Sequence, residues 1–357
     1  MMHSILRPVV RASASHCRVP FTRRFISTTV PIWNEPSNAK LRVAQSKVSE
    51  SPLAPIGVAA AVRAKEDPSS GPANSKIFDE FALRDRVGIV CGGNRGLGLE
   101  MAMALCEAGA RAVYTFDLPE TPSEDWKAVK EFVGKLGSRL EYVSVDGTDQ
   151  KKIWEIGESI GDKEGRMDFC VAAAGILEEP TPCLSYPEAQ FRKVSTSGFP
   201  VDIGFLLTIL CEVMSVNVDA VLFTAQAAGR QMVRFGNSGS IILVASMSGS
   251  ITNRGDARVA YNSSKSAILQ MTRSMACELA PLNIRVNSLS PGHIYTKMTA
   301  EFLDVDSELE AKWSSLNPMG RIGRIDEVRG PVVWLASDAS SFCTGSDILV
   351  SGGHHAW

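Results

Sequence analysis

The run Val87-Gly88-Ile89-Val90-Cys91-Gly92-Gly93-Asn94-Arg95-Gly96-Leu97-Gly98 sets a short apolar strand directly against a glycine-rich loop. Leu99 to Ala108, rich in Ala and Met, then reads as a helix that Gly109 ends. Strand, loop and helix in this order narrow the choice of fold sharply. Glycines let a backbone approach a pyrophosphate, and the first turn of the following helix offers free N–H donors and partial positive charge. A glycine loop alone is weak evidence, but a second strand, Ala112 to Phe116, ends in Asp117. An acid about twenty residues beyond the glycines is where a carboxylate can hold the adenosine ribose hydroxyls.

Composition narrows the function classes. Among 357 residues, 37 Lys and Arg oppose 39 Asp and Glu, for a net charge of -2. Nucleic-acid and anionic-membrane binding both need a basic excess, so neither is expected. The most hydrophobic stretch, 199–211, is too short to span a bilayer and contains Asp202, so no membrane span is expected. The eight cysteines include no Cys-x-x-Cys pair and have no histidines spaced to complete a metal site, so no metal is expected. No Gly-x-Ser-x-Gly turn supports a hydrolase.

Charge is uneven along the chain. Arg7, Arg11, Arg18, Arg23 and Arg24 all precede the first acidic residue, Glu35, amid many Ser and Thr. This is the composition of an organelle transit peptide, so residues 1–33 read as a mitochondrial matrix-targeting segment, the alternative being a basic tail on a cytoplasmic protein. Residues 34–77, rich in Pro, Ser, Ala and Gly, read as a flexible linker, and the folded domain is expected over 78–357.

The spacing Gly92-x-x-x-Gly96-x-Gly98 resembles the short-chain dehydrogenase/reductase family, and the likeness runs from about Leu83 to the C-terminus. Tyr142-Val143-Ser144-Val145-Asp146 resembles the third strand, whose terminal acid, here Asp146, contacts adenine in the family. Asp168 to Gly175 resembles the strand that usually ends Asn-Asn-Ala-Gly. Here alanines stand at 172 and 173, which removes side-chain hydrogen bonds to the central sheet and keeps the Ala174-Gly175 approach to the cofactor. The resemblance implies one α/β domain, a Rossmann-type doubly wound parallel sheet with helices on both faces, preceded by a disordered N-terminal extension. It also implies a cofactor held by Gly92, Asn94, Arg95, Gly96, Leu97, Gly98, Asp117, Asp146, Ala173, Ala174 and Gly175. Asp117 would repel a 2'-phosphate and favours NAD, whereas Arg95 could pair with that phosphate and favours NADP; the carboxylate's place in the ribose pocket tips the reading to NAD.

Tyr261-Asn262-Ser263-Ser264-Lys265 opens a long periodic helix, so Tyr261 and Lys265 share one helical face. A phenol is a poor base at neutral pH, and an adjacent ammonium favours its phenolate. By the same resemblance, Ser246, at the end of the apolar strand Gly239 to Val244, orients the substrate oxygen, with Ser248 as a rival. Asn217 matches the family's fourth catalytic residue, holding a local helix irregularity and a water that links the lysine to solvent. Pro291, Gly292, Ile294 and Thr296 match the segment beside the nicotinamide, with the ribose held by Tyr261 and Lys265. His293 reads as a loop residue.

The implied reaction is hydride transfer between NAD or NADP and a secondary alcohol or ketone. The Ala-Ser-Met-Ser-Gly context and the Trp357 ending resemble fungal polyol dehydrogenases, which implies a sugar alcohol and its ketose. Alternatives are a reductase of a steroid, fatty-acyl or polyketide ketone, or a nucleotide-binding member that has lost turnover. The C-terminal stretch 318–353 resembles the part that supports tetramers or dimers in the family. One departure stands out: Ser195 to Glu212 intervenes where members pass almost directly to a Val-Met-x-Val-Asn element. It reads either as a genuine substrate-loop extension or as translated intron, since Val194-Ser195 is compatible with GTAAGT-like codons.

Overall fold

Nearly continuous apolar runs, buried on both faces, are what a central parallel strand requires, because helices cover both sides of the sheet. In the computed structural model, which describes residues 53–67, 75–178, 180–186, 212–296, 299–300, 303 and 307–357, seven strands form one sheet, the inner ones buried along their length and the two at its edges only partly buried. They are β1 (Val87–Cys91), β2 (Ala112–Asp117), β3 (Arg139–Ser144), β4 (Phe169–Ala172), β5 (Gly239–Val244), β6 (Ile284–Pro291) and β7 (Asp347–Val350). Their order is β3-β2-β1-β4-β5-β6-β7 and every pairing is parallel. This is the doubly wound sheet expected from the sequence.

The intervening helices are α1 (Gly96–Glu107), α2 (Glu124–Lys135), α3 (Gln150–Glu164), α4 (Ala220–Phe235), α5 (Val259–Leu279), α6 (Ser307–Ser315) and α7 (Arg329–Ala336). Alternate residues of each strand feed two cores. Val87, Ile89, Ile241 and Leu243 pack with Ile153, Val221 and Ile268 of α3, α4 and α5. Val90, Val113, Ile242 and Val244 pack with Met101, Trp126 and Val332 of α1, α2 and α7.

Chain order reverses direction across the sheet between β1 and β4, and the strand ends there open a crevice suited to a ligand. That seam is pinned at its base. Buried Asp168 accepts from Val87 N at 2.8 Å and receives a bidentate Arg166 guanidinium at 2.8 Å through both nitrogens. At the open end the seam is lined by small residues, Cys91 against Ala172, so the missing asparagine amides leave no polar void.

The chain divides into two compact units, Met1–Lys65 and Glu66–Trp357. Among the described residues of the stretch expected to be a linker, Gly57–Glu66 is helical, with none of its residues buried. Its Ala59-Ala60-Ala61 core has high intrinsic helix propensity, a local preference that needs no apolar stripe. The expected targeting segment 1–33, residues 34–52 and 68–74 of the expected linker, and 195–211 of the atypical insertion lie outside the described residues.

Candidate active site

The glycine loop turns on positions that only glycine fits. Gly92 has φ +74°, and a Cβ there would sit 2.9 Å from both Ala173 O and Ala174 N. At Gly98 a Cβ would come within 2.0 Å of Gly92 O, so α1 can start directly beneath the loop only without one. Gly96, with φ +59°, meets nothing within 4 Å, leaving open space before the first N–H groups of α1. Backbone packed this closely below, with room above, is a cradle for a pyrophosphate. The residues present therefore fit a dinucleotide.

Asp117, at the end of β2, accepts from Asn94 N at 3.0 Å and from Leu118 N at 2.9 Å. Arg95 is exposed beside it, and Leu118 is 67% exposed. The loop carries a tether that the motif did not reveal. Ser123 N donates to Asn94 Oδ1 at 2.8 Å, Ser123 Oγ donates to Asn94 O at 2.8 Å, and the same Oγ caps α2 by accepting from Trp126 N. Ser-Glu-Asp at 123–125 is the ordinary signature of a helix start; its bond to the loop has no local signature. Asp146 is exposed beyond β3 and accepts from both Thr148 N and Thr148 Oγ1 through Oδ1.

Across the seam, Ala173, Ala174 and Gly175 follow β4. A Cβ on Gly175 would lie 3.4 Å from Asn217 Oδ1 and 3.4 Å from Lys265 Nζ, so this turn brings cofactor loop and reacting residues together. Asn217 lies in a π-helical turn, Ser215–Asp219, that leads into α4. Such turns add one residue to a helix and commonly sit at functional sites. Asn217 accepts from Ile176 N at 2.8 Å and donates to Ile176 O and to Ser264 Oγ, both at 3.1 Å. It thus ties the loop after β4 to α5.

Tyr261 and Lys265 stand one turn apart in α5, with the ammonium 5.7 Å from the ring centroid. Lys265 is buried, donates to Val244 O at 3.0 Å, and is pulled down to about 8 by burial. Burial pushes the Tyr261 phenol up, while a hydrogen bond from Ser246 opposes that shift. Ser248 points elsewhere: its Oγ accepts from Asn253 Nδ2 at 3.0 Å, and its N–H donates to Ser246 Oγ at 3.1 Å. The hydroxyl that faces the phenol is therefore that of Ser246, and Ser248 is part of its support.

Pro291 ends β6, Gly292 N donates to Val350 O at 2.9 Å, and Ile294 is buried in a bridge with Gly323. Thr296 is engaged within its own turn, its N–H donating to Thr299 Oγ1 at 2.7 Å and its Oγ1 accepting from Thr299 N at 3.2 Å. His293 is stacked on Trp313 of α6 at 4.2 Å between centroids, with His354 edge-on at 5.2 Å. Two further residues enter the site without any sequence signal. Glu178 accepts from Tyr261 N at 3.0 Å, and buried Arg258, bidentate to Asp256 through Nε at 2.9 Å, donates to Glu178 O. Both contacts of Glu178 span about eighty positions in sequence.

Among the described residues no His, Cys, Asp or Glu group is arranged to hold a metal, and no helix is long and apolar enough to cross a membrane. A dinucleotide crevice facing a serine, a tyrosine, a lysine and an asparagine defines a pyridine-nucleotide-dependent oxidoreductase acting on a CH–OH group. The family model described as Enoyl-(Acyl carrier protein) reductase matches residues 92–198 and 208–355. Sorbose reductase of Schizosaccharomyces pombe is 34% identical over 275 residues, 77% of this chain and 97% of its own. D-arabinitol 2-dehydrogenase (ribulose-forming) of Scheffersomyces stipitis is 31% identical over 297 residues, 79% of this chain and 98% of its own. A solved short-chain type dehydrogenase/reductase of Mycobacterium marinum is 34% identical, with TM-score 0.66 over 77% of this chain and 98% of that one. This chain belongs to the short-chain dehydrogenase/reductase family.

Proposed function

We propose that the protein interconverts a sugar alcohol and its ketose with NAD as cofactor. The observation that carries the substrate class is a pair of buried acceptors without hydrogen-bond partners among the described residues, on side chains that adjoin the Ser246–Tyr261 pair: Glu178 Oε2, whose Oε1 accepts from Tyr261 N, and Asn253 Oδ1, whose Nδ2 donates to Ser248 Oγ. A buried acceptor left unpaired costs about 1–3 kcal/mol, so a site holding two favours a ligand that brings hydroxyl groups to them. A steroid or acyl chain would leave them unpaired. The names of the relatives point the same way, since sorbose, D-arabinitol and mannitol all carry several hydroxyls.

The bound nicotinamide supplies the hydride acceptor. Side chains do the rest. Ser246 donates to the substrate oxygen and holds the carbinol carbon in line, and Tyr261 takes the hydroxyl proton, or returns it when the ketose is reduced. Lys265 holds positive charge beside the phenol, and Asn217 fixes the helix turn beside it. The preference for NAD rests on Asp117, whose carboxylate is held by Asn94 and Leu118 where a 2'-phosphate would have to sit. Arg95 is the residue that would favour NADP, the cofactor named for the mannitol dehydrogenase of Hypocrea jecorina.

Absorbance of reduced cofactor, followed in the full-length protein with NAD or NADP and a panel of pentitols and hexitols, tests this reading. Turnover with NAD and a polyol is expected. Tyr261→Phe should lose at least ~1,000-fold in kcat, since it removes the proton acceptor, while cofactor binding followed by fluorescence is kept. Turnover of apolar ketones alone would refute the polyol reading, turnover only with NADP would refute the cofactor preference, and cofactor binding without any turnover would indicate a member that has lost its chemistry.

A further inference from the structure

Glu178 is held from two sides and used from only one. The loop that carries it leaves β4 through Gly175 and is clamped at Ile176 by Asn217, which bonds both its N–H and its carbonyl. Two residues on, the main-chain carbonyl of Glu178 receives the Arg258 guanidinium. Its side chain then reaches the first turn of α5, where Oε1 accepts from Tyr261 N at 3.0 Å. The second oxygen, Oε2, is buried and has no hydrogen-bond partner among the described residues. Arg258 does not supply one, because its Nε is shared by both oxygens of Asp256 at 2.9 Å and its NH1 goes to the Glu178 backbone.

The carboxylate is bonded to the main chain of the residue that carries the reacting phenol. Its charge raises the Tyr261 phenol, to which Arg258 acts in the opposite sense. The other titratable groups around it are Tyr186, whose phenol also feels the Glu178 charge, Asp256 paired to Arg258, and Lys265 on the far side of the Tyr261 ring. An ionised carboxylate accepts hydrogen bonds and cannot donate them. Its free oxygen is therefore matched by a hydroxyl and by no carbonyl, ether or alkyl group.

We propose that Glu178 is a specificity-determining residue, whose free Oε2 accepts a hydrogen bond from a substrate hydroxyl next to the reacting carbinol carbon, so that the site selects vicinal diols over isolated secondary alcohols. This rests on the polyol reading above and names the group that enforces it. A hydroxyl bonded to a charged acceptor contributes more than one bonded to a neutral amide. One side chain thereby anchors both Tyr261 and the substrate.

Kinetics on a matched substrate pair test the assignment: 2,3-pentanediol against 2-pentanol, with a pentitol alongside, for the wild-type protein, Glu178→Gln and Glu178→Ala. Glu178→Gln keeps an acceptor for Tyr261 N and the shape of the loop. It is expected to lose roughly tenfold in kcat/KM for the diol and the pentitol, mainly through KM, with 2-pentanol changed less than about threefold. Glu178→Ala should lose roughly a hundredfold on the diol. Should Glu178→Ala fail to fold in a thermal melt, Glu178→Gln alone decides. Equal losses on diol and mono-alcohol would assign Glu178 a purely structural role and overturn the proposal while leaving the polyol reading intact. A wild-type protein that turns over 2-pentanol and no polyol overturns both.

Discussion

At the residue scale, the same burial acts on three side chains with different consequences. It raises the Tyr261 phenol, lowers Lys265 to about 8 and lowers His293 to about 4. For His293 the cause is desolvation first, then the neighbouring charges of His354 and Arg258. The ring is thus neutral in the folded protein across the range in which an unfolded histidine takes up a proton. Stability from this group is complete above the unfolded value near 6.5 and is lost as pH falls toward the folded value near 4. Integrated between about pH 7 and pH 4, the loss is about 3 kcal/mol. Urea denaturation at the two pH values should show His293→Gln flattening the dependence by about that amount, and an unchanged slope would mean the imidazole is already protonated when folded. Little of this was legible beforehand. Tyr261 and Lys265 could be read because their spacing is local and their chemistry is specific, whereas Ser246 came only through the family resemblance, with Ser248 left open beside it. His293 could only be read as a loop residue, because Trp313 and His354 meet it through the fold and not through the chain.

At the element scale, β1, β4 and β5 were legible because burial on both faces demands apolar runs, and the helices because each presents one apolar face to a core. The π-helical turn at Ser215–Asp219 was expected only through the family resemblance. Nothing in Ser-Val-Asn-Val-Asp marks a widened turn until Ile176 and Ser264 are placed around Asn217. The junction of α2 with the glycine loop is of the same kind. Ser123 caps α2, and its two bonds to Asn94 join the start of that helix to the loop whose N–H groups face the cofactor site. Ser123→Ala should therefore do two things at once. It removes a cap, costing about 1 kcal/mol in a denaturant titration. It also frees Asn94, so cofactor KM should rise several-fold while kcat changes little, because the reacting residues sit on α5 and β5 across the seam. A fall in kcat at unchanged cofactor KM would show that the tether does not reach the loop.

At the scale of the whole molecule, the doubly wound sheet explains why residues from 92 to 296 converge on one crevice: every strand points its C-terminal end the same way, so each following loop adds to one rim. Glu178 and Asn217 enter that rim from either side of the segment 195–212, which a reading of the sequence marks as foreign to the family pattern. The family match breaks off at 198 and resumes at 208, inside that segment. The helix that carries Asn217 begins at Glu212, and Val213 behind it is buried. Joining Lys193 to Val213 gives Phe-Arg-Lys-Val-Met-Ser-Val-Asn, which keeps the approach to the π-helical turn continuous. Among the described residues, Asn217 finds partners at Ile176 and Ser264, and Glu178 at Tyr261 and Arg258. A chain lacking Val194 to Glu212 is accordingly expected to fold with an unchanged or higher melting temperature and to keep or raise kcat/KM on the same polyol. If the segment instead forms part of the substrate pocket, the shortened protein will melt normally and bind cofactor but lose polyol turnover. Sequencing transcript-derived cDNA distinguishes the origin of the segment independently, since retained codons would mean that the cell makes the longer loop.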